Sequence, residues 1–286
     1  MKRNSILFFI ILLLLSSKVA TSKTIIVNSG TSITDKRYEY SIKLLKLIVS
    51  KVDKKLKIKT LNIKSQADIE QKLIKNIIQV AILPNHKEEY NAKIMYIPYP
   101  LRKGLLGFRS LITLKSSEEI KSLKDLTSKK LGYNSSWSDY FIYTENNFNI
   151  VSTTNYSNLY KLLFSKKADY LSRSIIEVGN ELEELKGRKK EIKIQNILLY
   201  YPYSDFFYVK KENTKLNQIL AKGFQRSIED GSWLKLLRDY YKKKLSKLSL
   251  KDKKLIIIDN PTISNNYINS LHYWMNFEDL IEFIEK

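Results

Sequence analysis

The 286-residue sequence contains no cysteine, only two histidines (His86 and His272), and few glycines and prolines. The absence of cysteine excludes disulfides, thiolate metal sites, thiol catalysis and lipid attachment to a cysteine. Two histidines exclude a multi-histidine metal site, and we expect neither a metal nor a cofactor. With 8 glycines, 5 prolines and 43% hydrophobic residues, the composition is that of a globular protein. A chain of this length forms one large or two modest domains.

Acidic residues are in the minority, since 29 Asp and Glu stand against 50 Lys and Arg, which leaves a formal charge of +21. Such an excess is typical of nucleic-acid-binding proteins. The lysines are spread along the whole chain, however, and we expect a solvated basic surface with no nucleic-acid partner. The densest basic run, over residues 242–254, has two interpretations: contact with an anionic membrane face, or an exposed helix end.

The longest apolar run, Ile6–Leu15, lies near the start of the chain. Lys2 and Arg3 precede it, and Ala20–Ser22 offers the small residues that signal peptidase recognises. Ten residues are too few for a membrane-spanning helix, which needs about 20. We therefore predict a secretory signal over residues 1–22, cleaved near Ser22, and a soluble periplasmic protein that starts near Lys23. The alternative is an uncleaved anchor.

Short apolar strands alternate with amphipathic helices through most of the remaining chain. The β-branched strand Thr24–Val27 precedes a helical pattern over Tyr38–Val52, and the same order returns at the alternating strand 56–60 and the helix after Ser65. A second series follows the extended segment Phe108–Leu114 and ends with a strand at Ile192–Tyr200. Repeated strand–helix–strand units predict an α/β fold with mostly parallel sheets flanked by helices.

Four stretches, taken in order, carry a resemblance to a known family: Pro98–Ser116 (PYPLRKGLLGFRSLITLKS), Ser122–Ser136 (SLKDLTSKKLGYNSS), Ser165–Leu171 (SKKADYL) and Gly223–Tyr241 (GFQRSIEDGSWLKLLRDYY). Over roughly residues 24–245 the chain resembles the type 2 periplasmic solute-binding proteins, in the family 3 or amino-acid-binding branch. Further marks of a divergent group in that branch are Lys103–Arg109, Trp137 with Asp139, Asp169-Tyr170 with Arg173, and Leu255–Pro261 with Trp274.

The resemblance implies two α/β lobes, each with a mostly parallel sheet flanked by helices. Lobe 1 is expected to comprise residues 23–108 plus 204–286, and lobe 2 residues 109–203. Two crossing segments, Phe108–Leu114 and Leu199–Tyr203, would join the lobes. A ligand would bind in the cleft between the lobes, which would close by hinge rotation. Independently of the resemblance, the residues support this layout only as far as two successive groups of strand–helix–strand units.

The resemblance also implies a place for a ligand carboxylate. Arg109 stands where the branch has an arginine at the start of the first crossing segment, and a guanidinium binds a carboxylate through two parallel hydrogen bonds. The alternative is a surface ion pair or a structural role at the hinge. Ser135 and Ser136 match a position that faces the same carboxylate at a helix start, where anions are favoured; a plain helix cap is the alternative.

The sequence departs from the branch at the place that holds the ligand's ammonium group. Counting from Asp169 puts Ser174 there, preceded by Arg173, where other members have an aspartate. A serine does not compensate a buried ammonium, and a neighbouring arginine repels it. If Arg109 and Arg173 both face the cleft, the ligand is expected to be anionic. The alternative is that Arg173 points to solvent or braces lobe 2.

Aromatic side chains pack against ligands in such clefts, and Tyr99, Phe108 and Trp137 are the candidates; core packing is the alternative for each. No nucleophile–base–orienter set is visible, and Gly104–Gly107 is too short for a dinucleotide-binding loop. We therefore expect a binding protein and not an enzyme. A peptidoglycan lyase, which shares this pair of lobes in some proteins, would need an extra catalytic domain, and residues 246–286 are too few for one.

These observations predict an exported, monomeric solute-binding protein. It would capture a small anionic or amino-acid-like ligand and deliver it to the permease of a membrane ABC transporter. The alternative partner is a membrane signalling receptor, with the protein acting as an extracytoplasmic ligand sensor.

Overall fold

The structure is a computed structural model that describes residues 24–30, 36–63, 65–84, 92–261, 263 and 271–285. The predicted signal segment 1–22 and His86 lie outside the described residues. None of the described helices combines the length and apolar character that crossing a bilayer requires.

The strands are short and fall into two series along the chain. They are β1 Thr24–Ser29, β2 Lys57–Asn62, β3 Ala81–Pro84, β4 Ile94–Tyr96, β5 Phe108–Leu114, β6 Lys130–Asn134, β7 Asn149–Thr153, β8 Tyr170–Ser174, β9 Ile192–Tyr200, β10 Asp205–Lys210 and β11 Lys254–Ile257.

The helices connect and cover these strands. They are α1 Glu39–Ser50, α2 Gln66–Ile74, α3 Leu123–Ser128, α4 Tyr140–Glu145, α5 Leu159–Phe164, α6 Val178–Glu184, α7 Thr214–Glu229, α8 Ser232–Leu245 and α9 Phe277–Glu285. Two of them begin with side-chain caps that the sequence predicts, because the hydroxyls of Ser65 and Ser122 accept hydrogen bonds from backbone N–H groups of the first turn.

Strands β1–β4 and β10 form the sheets of lobe 1. β1 pairs with β2 in parallel, and a single parallel bridge joins Val27 to Val80, just before β3. β10 then lies antiparallel between β3 and β4. The parallel part of this arrangement agrees with the predicted α/β fold. β10 follows the second crossing segment and enters the lobe in the opposite direction.

The sheet of lobe 2 has six strands in the order β11-β9-β5-β8-β6-β7. β6 pairs in parallel with both β7 and β8, whereas β5 is antiparallel to β8 and β9. β5 and β9 hold the two segments predicted to cross between the lobes. They pair with each other from Phe108↔Tyr200 to Leu114↔Ile192, with a register shift between Ser110 and Ile112.

The lobe boundaries remain a prediction, but one part of the assignment differs from the structure. Residues 204–286 were expected in lobe 1, yet the strand Lys254–Ile257 pairs in parallel with β9 in the lobe 2 sheet. The basic run 242–254 forms the end of α8 and the start of this strand. Hydrogen bonding decides the position of β11, because the open edge of β9 offers unpaired backbone groups.

A buried ion pair holds lobe 1 together where the first and second crossing segments meet it. Arg102 and Asp205 are each 4% exposed, and the guanidinium Nη1 of Arg102 donates to Oδ2 of Asp205. Ser41 of α1 donates to the same oxygen at 3.1 Å, and Arg102 Nε donates to the hydroxyl of Tyr241 in α8 at 2.8 Å. The pair therefore ties two helices to the start of β10.

Candidate functional site

Arg109 is the second residue of β5, beside the point where the first crossing segment enters the lobe 2 sheet. Its side chain is buried, with 2% of the residue exposed. Nη2 donates to the hydroxyl of Tyr133 at 3.1 Å and to the carbonyl of Ser172 at 3.2 Å, while Nη1 donates to the carbonyl of Leu106 at 3.2 Å. The carboxylate of Asp139 lies 3.4 Å from Nη1. Arg109 is thus already paired with an anionic group of the chain.

A network of hydroxyl groups holds the carboxylate of Asp139 in place. Tyr201 donates to Asp139 Oδ2 at 2.9 Å, and its hydroxyl also lies 3.2 Å from that of Tyr143. Tyr143 in turn shares a hydrogen bond of 2.6 Å with the hydroxyl of Ser172. Burial raises the pKa of Tyr133, Tyr143 and Tyr201, so these hydroxyls are neutral around pH 7.

The guanidinium of Arg109 retains one unused donor. Its Nε is buried and has no hydrogen-bond partner within the described part of the chain. Most buried polar atoms in proteins have a partner, and an unmade bond to a buried donor costs free energy. The contact with Asp139 is single and longer than a strong ion pair, which commonly has N–O distances of about 2.7–2.9 Å. The N–H group at Nε of Arg109 is therefore available to a further acceptor, such as a ligand carboxylate.

Arg173, in β8, is bound by carboxylates of the helix that follows. Its Nε lies 2.8 and 3.1 Å from the two oxygens of Glu181, and its Nη2 lies 3.1 Å from Glu177. Tyr160 also donates to Glu181 at 3.1 Å. The guanidinium carbon lies 4.2 Å from the centre of the Trp137 ring, so the indole stacks on the cation.

The two arginines point to opposite faces of the sheet. Arg109 is paired with Ser174 and Arg173 with Ser110, and residues that face each other across a pair of strands share one face. The segment after β6 reaches both arginines: Trp137 stacks on Arg173 and meets Tyr133, the partner of Arg109, edge to face at 5.1 Å. Tyr133 and Trp137 thus connect two otherwise separate ion pairs.

The charge of this region comes from carboxylates as well as from the two arginines. Two guanidinium groups face three carboxylates, those of Asp139, Glu177 and Glu181. Both arginines are therefore paired with carboxylates of the chain, and the expected anionic ligand stays a prediction. Sequence reasoning missed Glu177 and Glu181, although Glu181 follows Glu177 by four residues at the start of the helix after β8, a spacing that places both carboxylates on one side of it.

The predicted serines do not form an anion site at a helix start. The backbone N–H of Ser135 donates to the carbonyl of Thr153, and the N–H of Ser136 donates to the side chain of Asn134. Both serines are exposed, and the helix begins later, at Tyr140. Ser174 is fully buried and donates to the carbonyl of Leu105, so it does not replace the missing aspartate.

Two of the predicted aromatic contacts, half-buried Tyr99 and buried Phe108, pack with core residues. Tyr99 stacks on Phe224 of α7 with a centroid distance of 4.6 Å, within lobe 1. Phe108 is fully buried and contacts Tyr200 at 4.4 Å, on the opposite crossing strand. Trp137 is half-buried beside Arg173, which leaves it as the aromatic candidate next to the site.

No family model matches the sequence, and no curated protein matches it. Several solved structures, by contrast, have a similar fold. The probable amino-acid ABC transporter extracellular-binding protein ytmK from Bacillus subtilis superposes with a TM-score of 0.60 at 15% identity, covering 77% of this chain and 97% of that one. An ancestral arginine-binding protein bound to arginine gives 0.58 at 18% identity, with coverage of 76% and 98%.

A third similar structure is the VFT2 domain of Bordetella pertussis BvgS, with a TM-score of 0.59, 13% identity and coverage of 76% and 93%. In each comparison nearly the whole of the other chain is covered, and about a quarter of this chain is left over. The predicted signal segment accounts for only part of that excess. At the level of fold the sequence resemblance is confirmed: this chain has the two-lobed α/β fold of the type 2 periplasmic binding proteins.

Proposed function

We propose that this protein is an exported solute-binding protein that captures a small amino-acid-like ligand between its lobes and delivers it to a membrane ABC transporter. The observation that carries the proposal is the buried guanidinium of Arg109, which lies beside the junction of the lobes and keeps one donor unused. The fold shared with binding proteins supports a binding role over an enzymatic one.

Arg109 is the proposed anchor for the ligand's carboxylate. An incoming carboxylate would take the unused Nε together with Nη2, the Nη group on the same side of the guanidinium, in place of the Nη2 bonds of 3.1 Å to Tyr133 and 3.2 Å to Ser172. Asp139 would keep its contact with Nη1 on the other side. Trp137 is the proposed aromatic contact, held in place by Arg173. The carboxylate of Asp139 beside the anchor favours a ligand with a positive group as well, such as a zwitterion, over a purely anionic one.

A role in sensing is the second candidate, because a histidine kinase sensor domain shares the fold, with a TM-score of 0.56 at 13% identity. The genes next to this one distinguish the two roles. A neighbouring permease gene supports transport, and a neighbouring membrane kinase or cyclase gene supports sensing.

Substitution of Arg109 tests the proposed anchor. Mass spectrometry of material that co-purifies with the protein, followed by calorimetry with glutamate, glutamine and arginine, defines the solute to use. Arg109→Gln is expected to weaken its binding at least about thirtyfold, because it removes one partner of a desolvated charge pair. Arg188→Gln is the matched control, since Arg188 is exposed and pairs with Glu191 three residues away. If the two variants bind the solute with equal affinity, Arg109 is not part of the binding site.

Sequencing of the mature protein tests the proposed export. The apolar run 6–15 and the small residues 20–22 predict a periplasmic protein whose N-terminus is Lys23 or a residue close to it. Edman degradation or mass spectrometry of the protein from a periplasmic extract gives this residue. Recovery of the chain from the membrane fraction with Met1 intact would show an anchor instead of a cleaved signal.

A further inference from the structure

The C-terminal segment leaves lobe 1 by a short and well packed connection. Helix α8 packs against lobe 1 through Leu237, Tyr241 and Leu245, and β11 begins in the lobe 2 sheet only nine residues after Leu245. Between them, Leu248 and Leu250 are buried in the same hydrophobic cluster as Leu245. This connection is therefore a third segment that crosses between the lobes, and it is a packed one.

The C-terminal segment is then hydrogen-bonded to β9 and to the residues that follow β9 in the second crossing segment. β11 pairs with β9 from Lys254↔Ile197 to Ile257↔Tyr200, and the N–H of Ile258 donates to the carbonyl of Tyr200 at 2.9 Å. Beyond the strand, the side chain of Asn260 donates to the carbonyl of Pro202 at 2.7 Å. These bonds follow the chain of the second crossing segment almost to its end.

Residues 271–285 lie against lobe 1, beside the first crossing segment. The N–H of Met275 donates to the carbonyl of Lys103 at 2.8 Å. The indole of Trp274 covers Gly104, so closely that a Cβ at residue 104 would lie 2.5 Å from it. Helix α9 then buries Leu280 and Phe283 in the large cluster that contains α8.

Hinge rotation of a two-lobed protein bends the segments that cross between its lobes. Here residues 246–261 add a further crossing to the two segments predicted from sequence, and residues 271–285 pack on lobe 1; both parts are anchored by backbone hydrogen bonds and buried side chains. We propose that this C-terminal segment is a clamp that holds the lobes in the arrangement of this structure, and that β11 must separate from β9 before the lobes open widely.

Distance measurements between spin labels test the clamp without any ligand, so the result is independent of the proposed function. The absence of native cysteine allows specific labelling at Lys59→Cys in lobe 1 and Lys161→Cys in lobe 2, both of which are exposed. Ile256→Asp places a charge at a position that is 9% exposed, so it should detach β11. Ile257→Asp is the matched control, because Ile257 is the next residue of the strand and 63% exposed.

The otherwise unchanged chain and Ile257→Asp are expected to give one narrow distance distribution. Ile256→Asp is expected to add a population at longer distance. The proposal is overturned if hydrogen exchange shows free β11 amides in Ile256→Asp while the distance distribution stays unchanged. If circular dichroism shows that Ile256→Asp does not fold, the same distances are measured in Trp274→Ala, which removes the indole that covers Gly104. An added population at longer distance supports the clamp. An unchanged distance distribution overturns it.

Discussion

Replacing Asp205 by alanine is expected to lower the free energy of unfolding by about 3–5 kcal/mol, because it leaves the guanidinium of Arg102 buried without its counter-ion. Arg102 is 4% exposed, so water does not reach it to replace the lost carboxylate. Its remaining bonds, to the hydroxyl of Tyr241 and to the carbonyl of Arg37, are made by neutral groups. Removal of one partner leaves a buried, unpaired charge, so it lowers the free energy of unfolding by more than the intact pair contributes.

Urea unfolding followed by circular dichroism measures this loss as a lower midpoint. Asp239→Ala is the control, since Asp239 pairs with Lys235 on the surface of α8 and both side chains are at least 60% exposed. Exposed pairs of this kind contribute about 0.3–0.5 kcal/mol. The double variant Arg102→Met/Asp205→Ala is expected to recover part of the loss, because it removes the unpaired charge. If Asp205→Ala unfolds at the same urea concentration as Asp239→Ala, the buried pair does not hold lobe 1 together.

Replacing Gly107 by alanine is expected to cost about 1–3 kcal/mol, as overpacking of a close contact does. A Cβ on Gly107 would lie 2.0 Å from the carbonyl oxygen of Tyr201, far inside van der Waals contact. The clash involves backbone atoms on both sides, and the two segments are bonded to each other, since the N–H of Tyr201 donates to the carbonyl of Gly107 at 3.3 Å. The extra methyl group therefore forces the two crossing segments apart.

Gly179→Ala is the matched control for this substitution. A Cβ at residue 179 meets no atom within 4 Å, and the residue lies in helix α6, where alanine is favoured over glycine by up to about 1 kcal/mol. In thermal unfolding, the melting temperature of Gly107→Ala is expected to fall. That of Gly179→Ala is expected to rise or to stay unchanged. If Gly107→Ala has the same melting temperature as the unsubstituted protein, the two crossing segments do not lie in close contact at residue 107.

The local pattern of the sequence was sufficient for much of the fold. The crossing strand Ile192–Tyr200 was predicted with the bounds that the structure has, and Phe108–Leu114 was recognised as extended. Strand β10, Asp205–Lys210, was missed because all but its last residue are buried, so the sequence DFFYVK does not alternate between apolar and polar positions. A strand buried on both faces has no signal of period two.

The sequence by itself determined the class of this protein: its composition excluded cysteine chemistry, the order of its strands and helices indicated an α/β fold, and the family resemblance implied two lobes. Only the tertiary structure decided which charges are paired. Asp205 lies 103 residues from Arg102, and Asp139 lies 30 residues from Arg109, so no spacing along the chain relates them. Sheet order brings such residues together, and β11 likewise joined lobe 2 because β9 offered an open edge. Sequence periodicity reports which face a side chain occupies, but burial and pairing at that face depend on elements distant in the chain.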